Sequence, residues 1–322
     1  MERMRQSGKR GEGPVLRVLD TALAARSCNH LQFAVEYRKL PQLMDNAAYH
    51  AHSAVSKSHL DKIAKSPLHY WARYVDPNRD IPEPTPSMLL GSAVHTHTLE
   101  LDRWDKEWVV TPSGLDRRTK AGKQVWADFV AASEGRSVIT AEQFATVKKI
   151  TQSVYSHPAA ATLLQTDGEA ETTHMWVDEE TGLECKCRPD YLTADGSIVV
   201  DLKTTRDASP RGFRSSAMSY RYHVQAAWYL HGLEKSTGKR PESFVFIAVE
   251  TEPPYGVGVY VADIDFVAEG WTRAHTDLVK LADCKSSGKW PSYSDEIQLL
   301  SLPSWFNTSG KTEQPPQEIE GF

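Results

Sequence analysis

From about residue 45 the chain carries two hydrophobic rhythms in succession. In the first half, apolar residues recur three or four positions apart. Leu60, Ile63 and Ala64 follow Ser56 and Ser58, either of which can cap a helix, and a second short helix is predicted after Pro67. The proline-rich stretch DPNRDIPEPTPS predicts a loop. Helices are predicted over SMLLGSAVHTHTLEL, near 119–133 and near 141–155. After LLQTDGE the period shortens to two, predicting strands at roughly 170–178, 183–192 and 197–203. A basic segment, TTRDASPRGFRSSAMSYR, leads into a helix across YRYHVQAAWYLHGLEKS. The strands SFVFIAVE and GVGVYVAD follow, then a helix near 265–284. No internal repeat is present. This order predicts an α/β core with a helical N-terminal half.

Residues 1–44 have weak periodicity and many basic and polar residues. They read as an extension with one helix over VLRVLDTALAARS. Residues 45–290 read as the folded domain, and residues 291–322, polar and proline-rich, as a loose tail.

Strand alternation makes one segment chemically specific. In ECKCRPDY, residues Glu184, Lys186, Arg188 and Asp190 share a face. In SIVVDLKT, Ile198, Val200 and Leu202 take one face, and Val199, Asp201 and Lys203 the other. The intervening TADGS carries an Asp-Gly turn signal, so a hairpin brings Asp190, Asp201 and Lys203 together. Two neighbouring carboxylates are costly without a cation between them. Magnesium takes one or two carboxylates and keeps room for water and phosphate oxygens. A solvated strand face with a Lys–Asp pair is the plainer reading of a bare D-x-K. The apolar run before Asp201 weakens it.

Bulk properties narrow the class without deciding it. A charge of −5 argues against a protein that coats nucleic acid non-specifically, though not against a local basic groove. No apolar run reaches about 18 residues, so no membrane span is expected, and the charged N-terminus lacks the apolar core of a secretory signal. Cys28, Cys185, Cys187 and Cys284 form neither a disulfide framework nor a C-x-x-C zinc pair. A reducing cytoplasm is the simplest setting.

RPD ahead of VVDLKTT resembles the PD-(D/E)xK nuclease superfamily, and three further features sharpen the likeness. GSAVH supplies Gly91 and His95, matching the G-x-x-x-H motif of the RecB-like branch. QAAWY supplies Gln225 and Tyr229, matching its Q-x-x-x-Y motif. YHAHSAVSKSHLDKIAKSPLHYWARYV, CRPDYL, VVDLKTT and YRYHVQAAWY are similar to the nuclease domain of RecE-type exonuclease VIII from prophages, a likeness that covers roughly 45–285. It implies a PD-(D/E)xK core: a mixed central sheet flanked by helices. The activity it implies is metal-dependent exonucleolysis of linear double-stranded DNA from 5′ ends, leaving 3′ single strands for an annealing protein. It further implies a homo-oligomeric ring.

Carried over residue by residue, the resemblance makes His95, Asp190 and Asp201 metal ligands, joined by the Leu202 carbonyl. Lys203 would orient or deprotonate the attacking water and offset transition-state charge. Gln225 and Tyr229 would position DNA or support the lysine. The branch also has an acidic residue near the first strand, for which Glu171 suits the strand pattern better than Glu169. Mg²⁺ is the expected ion, with Mn²⁺ able to substitute. RecB-like nucleases with an iron–sulfur cluster use a C-terminal group of three cysteines, and here only Cys284 lies beyond the core, so no cluster is expected.

DNA must be held through its phosphates. Arg206, Arg211, Arg214 and Arg221 form the densest basic run near the proposed centre, and Arg188 shares the face of Asp190. DRRTKAGK, with Arg117, Arg118, Lys120 and Lys123, is a second, weaker candidate. Two rival functions remain: a RecB-like repair nuclease with endonuclease activity, and a non-catalytic scaffold that binds DNA ends.

Overall fold

Side chains that accept from free backbone N–H groups start most of the helices, as helix termini require. The computed structural model describes residues 44–303 apart from residue 81. The helix expected in VLRVLDTALAARS and the end of the polar tail lie outside the described residues. Helices α1 (Asn46–Ala51), α2 (Lys57–Lys65) and α3 (Pro67–Tyr70) come first, with Ser56 and Ser66 as the caps of α2 and α3. Helix α4 (Pro86–Leu99) starts at Thr85 with proline in its first turn, where no N–H is missed. A short α5 (Trp104–Glu107) precedes β1 (Trp108–Val110), which pairs in parallel with β2 (Ser137–Ile139). Between them lies α6 (Lys120–Ala132), and α7 (Ala141–Ser156) and α8 (Pro158–Gln165) follow.

The central sheet is five-stranded, in the order β3 (Gly168–Ala170), β6 (Tyr191–Thr193), β7 (Ile198–Thr205), β8 (Ser243–Glu250), β9 (Val257–Val261). Only β7 and β8 run parallel, so the sheet is mixed. The remaining elements are β4 (His174–Val177), β5 (Glu184–Cys187), α9 (Pro210–Ser219), α10 (Tyr222–Thr237) and α11 (Ile264–Ser287). Alternation along β7 works as expected. Ile198, Val200 and Leu202 pack into one apolar cluster with Val94 of α4, Ile150 of α7 and Leu163 of α8. Val199 faces the other cluster, with Ala226 and Leu230 of α10. Asp201 and Lys203 therefore point toward α10. The Asp195–Gly196 turn closes the β6–β7 hairpin, with Gly196 at φ 67° and the Asp195 carboxylate accepting from Ser197.

Two strands depart from expectation in a way that builds the site. Residues 170–178 and 183–192 were expected as unbroken strands. Both are interrupted, and β3–β6 and β4–β5 keep the same antiparallel register on either side of the gap. Glu171 sits in the gap with φ 54°, and its N–H donates to the Asp190 carbonyl at 3.2 Å. Pro189, on the facing strand, has no N–H to offer a ladder. The ribbon thus divides, one half entering the central sheet and the other packing against α10. Its two acidic residues lie opposite each other at the break. The expected basic segment also contains a helix, α9, which buries Phe213 and Ala217. Among the described residues no helix is long and apolar enough to cross a membrane.

Candidate active site

Strand β6 is short, and its end leaves the neighbouring edge of β7 open at Leu202. It pairs with β7 only at Tyr191–Val200 and Leu192–Val199. Two side chains satisfy the exposed backbone groups. The Leu202 N–H donates to Asp190 Oδ2 at 2.7 Å, and the Leu202 carbonyl accepts from His95 Nε2 at 2.6 Å. A carbonyl can only accept, so Nε2 carries the proton and Nδ1 is left facing Asp190 Oδ2 at 3.5 Å. Helix α4 brings His95 this close because Gly91, one turn earlier, has no side chain. A methyl there would stand 3.3 Å from Thr204 Oγ1.

Glu171 completes the group. Ligand atoms of His95, Glu171 and Asp190 all lie within 4.8 Å of one another. His95 and Glu171 line a cavity of about 380 Å³, together with Leu202, Lys203 and Tyr222. Burial, then the neighbouring carboxylates Asp190 and Glu100, push the Glu171 carboxyl up to about 9, against the pull of Arg188 and Arg103. Two acidic groups and an imidazole nitrogen make an oxygen–nitrogen donor set that suits a divalent ion such as Mg²⁺ or Mn²⁺. The donor set fits a divalent ion.

Asp201 takes a different place from the one expected. It is fully buried, one oxygen accepts from Gln225 Nε2, and the other pairs with the Lys203 ammonium. It stands outside the three-residue group. Burial and Asp190 raise its pKa, and Lys203 opposes the rise. Gln225 and Asp201 thus form a chain that aims Lys203 into the cavity. Lys203 also lies 5.0 Å from the centre of the Tyr222 ring. Burial works against its charge, but Asp201, Asp190 and Tyr222 outweigh burial and raise its pKa. Tyr229 lies deeper on α10, packed near Phe244, and burial holds its hydroxyl far above the ordinary range.

The arginines divide. Arg188, expected on a phosphate, is buried: its guanidinium bonds Thr173 at 3.0 and 3.1 Å and the Met44 carbonyl, and stands over the Tyr49 ring. It lies 3.9 Å from Glu171, where it offsets charge beside the site. Arg221, also expected on DNA, is spent on the Leu60 carbonyl, Asp61 and Asp277, joining α2 to α11. Arg206, Arg211 and Arg214 are exposed. Arg118 is exposed and paired with Asp116, and Arg117 stacks on Trp126.

Sequence reasoning missed the cavity's second polar wall. Glu100, Arg103 and Glu107 line it, with Arg103 bridging Glu100 at 2.5 Å and Glu107. Glu100 follows His95 by five positions along the same segment, a weak signal. Arg103 gave none. His97 stays outside, hydrogen-bonded to Thr151 at 3.0 Å.

Residues 56–303 match the family described as a PDDEXK-like domain of unknown function (DUF3799). The chain belongs to this family. This DUF3799 chain also resembles the crystal structure of a candidate exonuclease from Eubacterium rectale, with a TM-score of 0.56 at 14% identity, over 81% of this chain and 95% of that one. At that identity the likeness concerns the fold, which is the mixed α/β architecture expected. The crystal structure of SSO0001 aligns over 62% of this chain and 88% of its own at 15% identity, with a TM-score of 0.27, too low to bear on the fold. No curated protein matches the DUF3799 chain.

Proposed function

We propose that this DUF3799 protein is a Mg²⁺-dependent exodeoxyribonuclease that degrades one strand of linear duplex DNA from its 5′ end. One observation carries the reading: His95, Glu171 and Asp190 converge within 4.8 Å beside a cavity that His95, Glu171 and Lys203 line. A scaffold that only binds DNA ends has no use for so costly a half-buried cluster. Membership of a PDDEXK-like family supports the same chemistry. The 5′ polarity, a ring assembly and delivery of 3′ single strands to an annealing protein rest on the sequence likeness to exonuclease VIII.

His95 Nδ1 and the carboxylates of Glu171 and Asp190 would hold the ion, with the Leu202 carbonyl at the cavity wall. When bound, it supplies Lewis-acid polarisation of a phosphate oxygen and a more acidic water. The protein's own groups do the rest. Lys203, with its pKa raised, stays an ammonium at neutral pH. That suits it to offset charge growing on the phosphate, rather than to take a proton from water. Asp201 and Gln225 hold it in line. Arg188 keeps two acids tolerable at short range. Exposed Arg206, Arg211 and Arg214 supply phosphate contacts.

The test is digestion of duplex DNA labelled separately at each 5′ and 3′ end, with Mg²⁺ and with EDTA, alongside a covalently closed circle. Release from the 5′ label alone, abolished by EDTA and absent on the circle, is expected. Cutting of the circle would move the activity to an endonuclease. Undiminished turnover in EDTA would remove the metal.

A further inference from the structure

Lys203 and Tyr222 line two cavities at once. One holds the candidate metal centre. The other, of about 460 Å³, is bounded also by Lys57, Ser219, Tyr220 and Gln225. Its size falls within the roughly 300–1,000 Å³ usual for ligand pockets.

Three aromatic rings step outward along the shared wall. Phe246 is buried at 2% exposure. Tyr222 stacks on it with centroids 5.7 Å apart and planes 26° from parallel. Tyr220 stacks on Tyr222 at 5.8 Å and 25°, and is 63% exposed. A lone surface tyrosine would need no explanation. This one is held from both sides. Its carbonyl accepts from Lys57 Nζ at 2.7 Å. The next residue, Arg221, has φ 55°, a conformation uncommon for a residue with a side chain, and its guanidinium is clamped by Leu60, Asp61 and Asp277. A near-parallel stack that ends in solvent offers its outer face to one more planar group. Arg211 and Arg214, three apart on α9, are exposed on the helix that runs into Tyr220 and give the approach positive charge. Aromatic faces beside cationic side chains are how single strands are held without reading sequence.

We infer that Tyr220 and Tyr222 form a stacking platform for an unpaired nucleobase of the DNA strand, which continues from the phosphate beside Lys203 into the second cavity. The inference rests on the nuclease reading for the identity of the strand. Its consequence is mechanical. A nucleotide leaving the duplex end gains a stacking partner as it loses its neighbour, which lowers the cost of peeling the end apart. Tyr220 is a positioning residue in this scheme.

The experiment separates this inference from the nuclease reading by measuring binding in EDTA. The probe is a duplex with one unpaired 5′ nucleotide, 2-aminopurine, whose fluorescence falls on stacking. Wild type and Tyr220→Phe are expected to quench it. Tyr220→Ala is expected to lose the quench and about tenfold in affinity, in the range of one base on one ring. On a fully paired blunt duplex, where a base must first unpair to reach the ring, the same variant should lose less affinity than on the probe with the unpaired nucleotide. Equal quenching by Tyr220→Ala and wild type, or none by any protein, overturns the platform even if DNA is degraded. Tyr220-dependent quenching by a protein that cuts nothing sustains it and sinks the nuclease reading instead.

Discussion

At neutral pH the proton on Glu171 must leave before its carboxylate can hold a divalent ion. Burial, reinforced by Asp190 and Glu100, places this group at about 9 in the metal-free protein. Apparent metal affinity should therefore climb with pH, by about tenfold per unit from this group, and level off above its pKa. Between about pH 7 and about pH 8.5, a window above ordinary imidazole titration, the gain comes to about 25-fold, or about 2 kcal/mol. Stability without metal runs the opposite way with pH. A carboxyl with a raised folded-state pKa contributes stability below its unfolded value near about 4.3, and that stability fades as pH rises toward the folded value. Isothermal titration calorimetry with Mn²⁺, run at both ends of the window in buffers of different ionisation enthalpy, measures affinity and proton release together. About one proton should leave per ion bound at the lower pH. Glu171→Gln should bind metal more weakly and show no such slope. A wild-type affinity that stays flat across the window, with no proton released, would refute the assignment of Glu171 as a ligand.

Lys203→Met should abolish cleavage and cost about 3–5 kcal/mol in thermal unfolding, because Asp201 is left buried and unpaired. Adding Asp201→Asn should recover much of that stability and none of the cleavage, and recovered cleavage would show that the ammonium is dispensable. Neutralising Arg211 and Arg214 together to glutamine should weaken DNA binding and reduce the salt slope by about two. An unchanged slope removes both from the phosphate contacts. Gly232→Ala should destabilise by about 1–3 kcal/mol in chemical denaturation, since a methyl there would lie 2.4 Å from the Trp176 ring and push α10 off β4 and β5. A variant as stable as wild type would mean that this contact yields freely.

Periodicity gave most of the helices and the β7–β8 core, because those elements bury one regular face each. It failed where tertiary pairing overrides the local pattern. Residues 170–178 and 183–192 alternate without visible interruption, yet both strands break at the same register. Pro189 was the one local sign, and the left-handed Glu171 gave none. Lys186 illustrates a related limit. Its parity with Arg188 and Asp190 was readable, but nothing in the strand shows that α1 lies over it, offering the Tyr49 and His52 carbonyls to its ammonium. Helix α9 was missed although Ser209 and Pro210 are good starting residues, because glycine and serine dilute the apolar face formed by Phe213 and Ala217.

The candidate site shows what a spaced motif does and does not encode. Asp190 and Asp201 stand across a hairpin, and the sequence was enough to bring them near each other. Which oxygen lone pairs reach the cavity depends on the surrounding backbone. Asp190 is fixed at the free edge of β7 by the Leu202 N–H, within reach of His95. Asp201 emerges on the face toward α10, where Gln225 and Lys203 claim both of its oxygens. The left-handed residue at the ribbon break, Glu171, is the carboxylate that lies with Asp190 and His95 within 4.8 Å. Each Asp201 oxygen keeps a second lone pair, so Asp201 could join the ion only if one of these turned toward it. Asp201→Asn, which keeps the shape and removes the charge, therefore distinguishes the two roles. Calorimetric metal affinity within about threefold of wild type, with cleavage lost, would make Asp201 the partner that aims Lys203, whereas a loss near that of Glu171→Gln would make it a ligand.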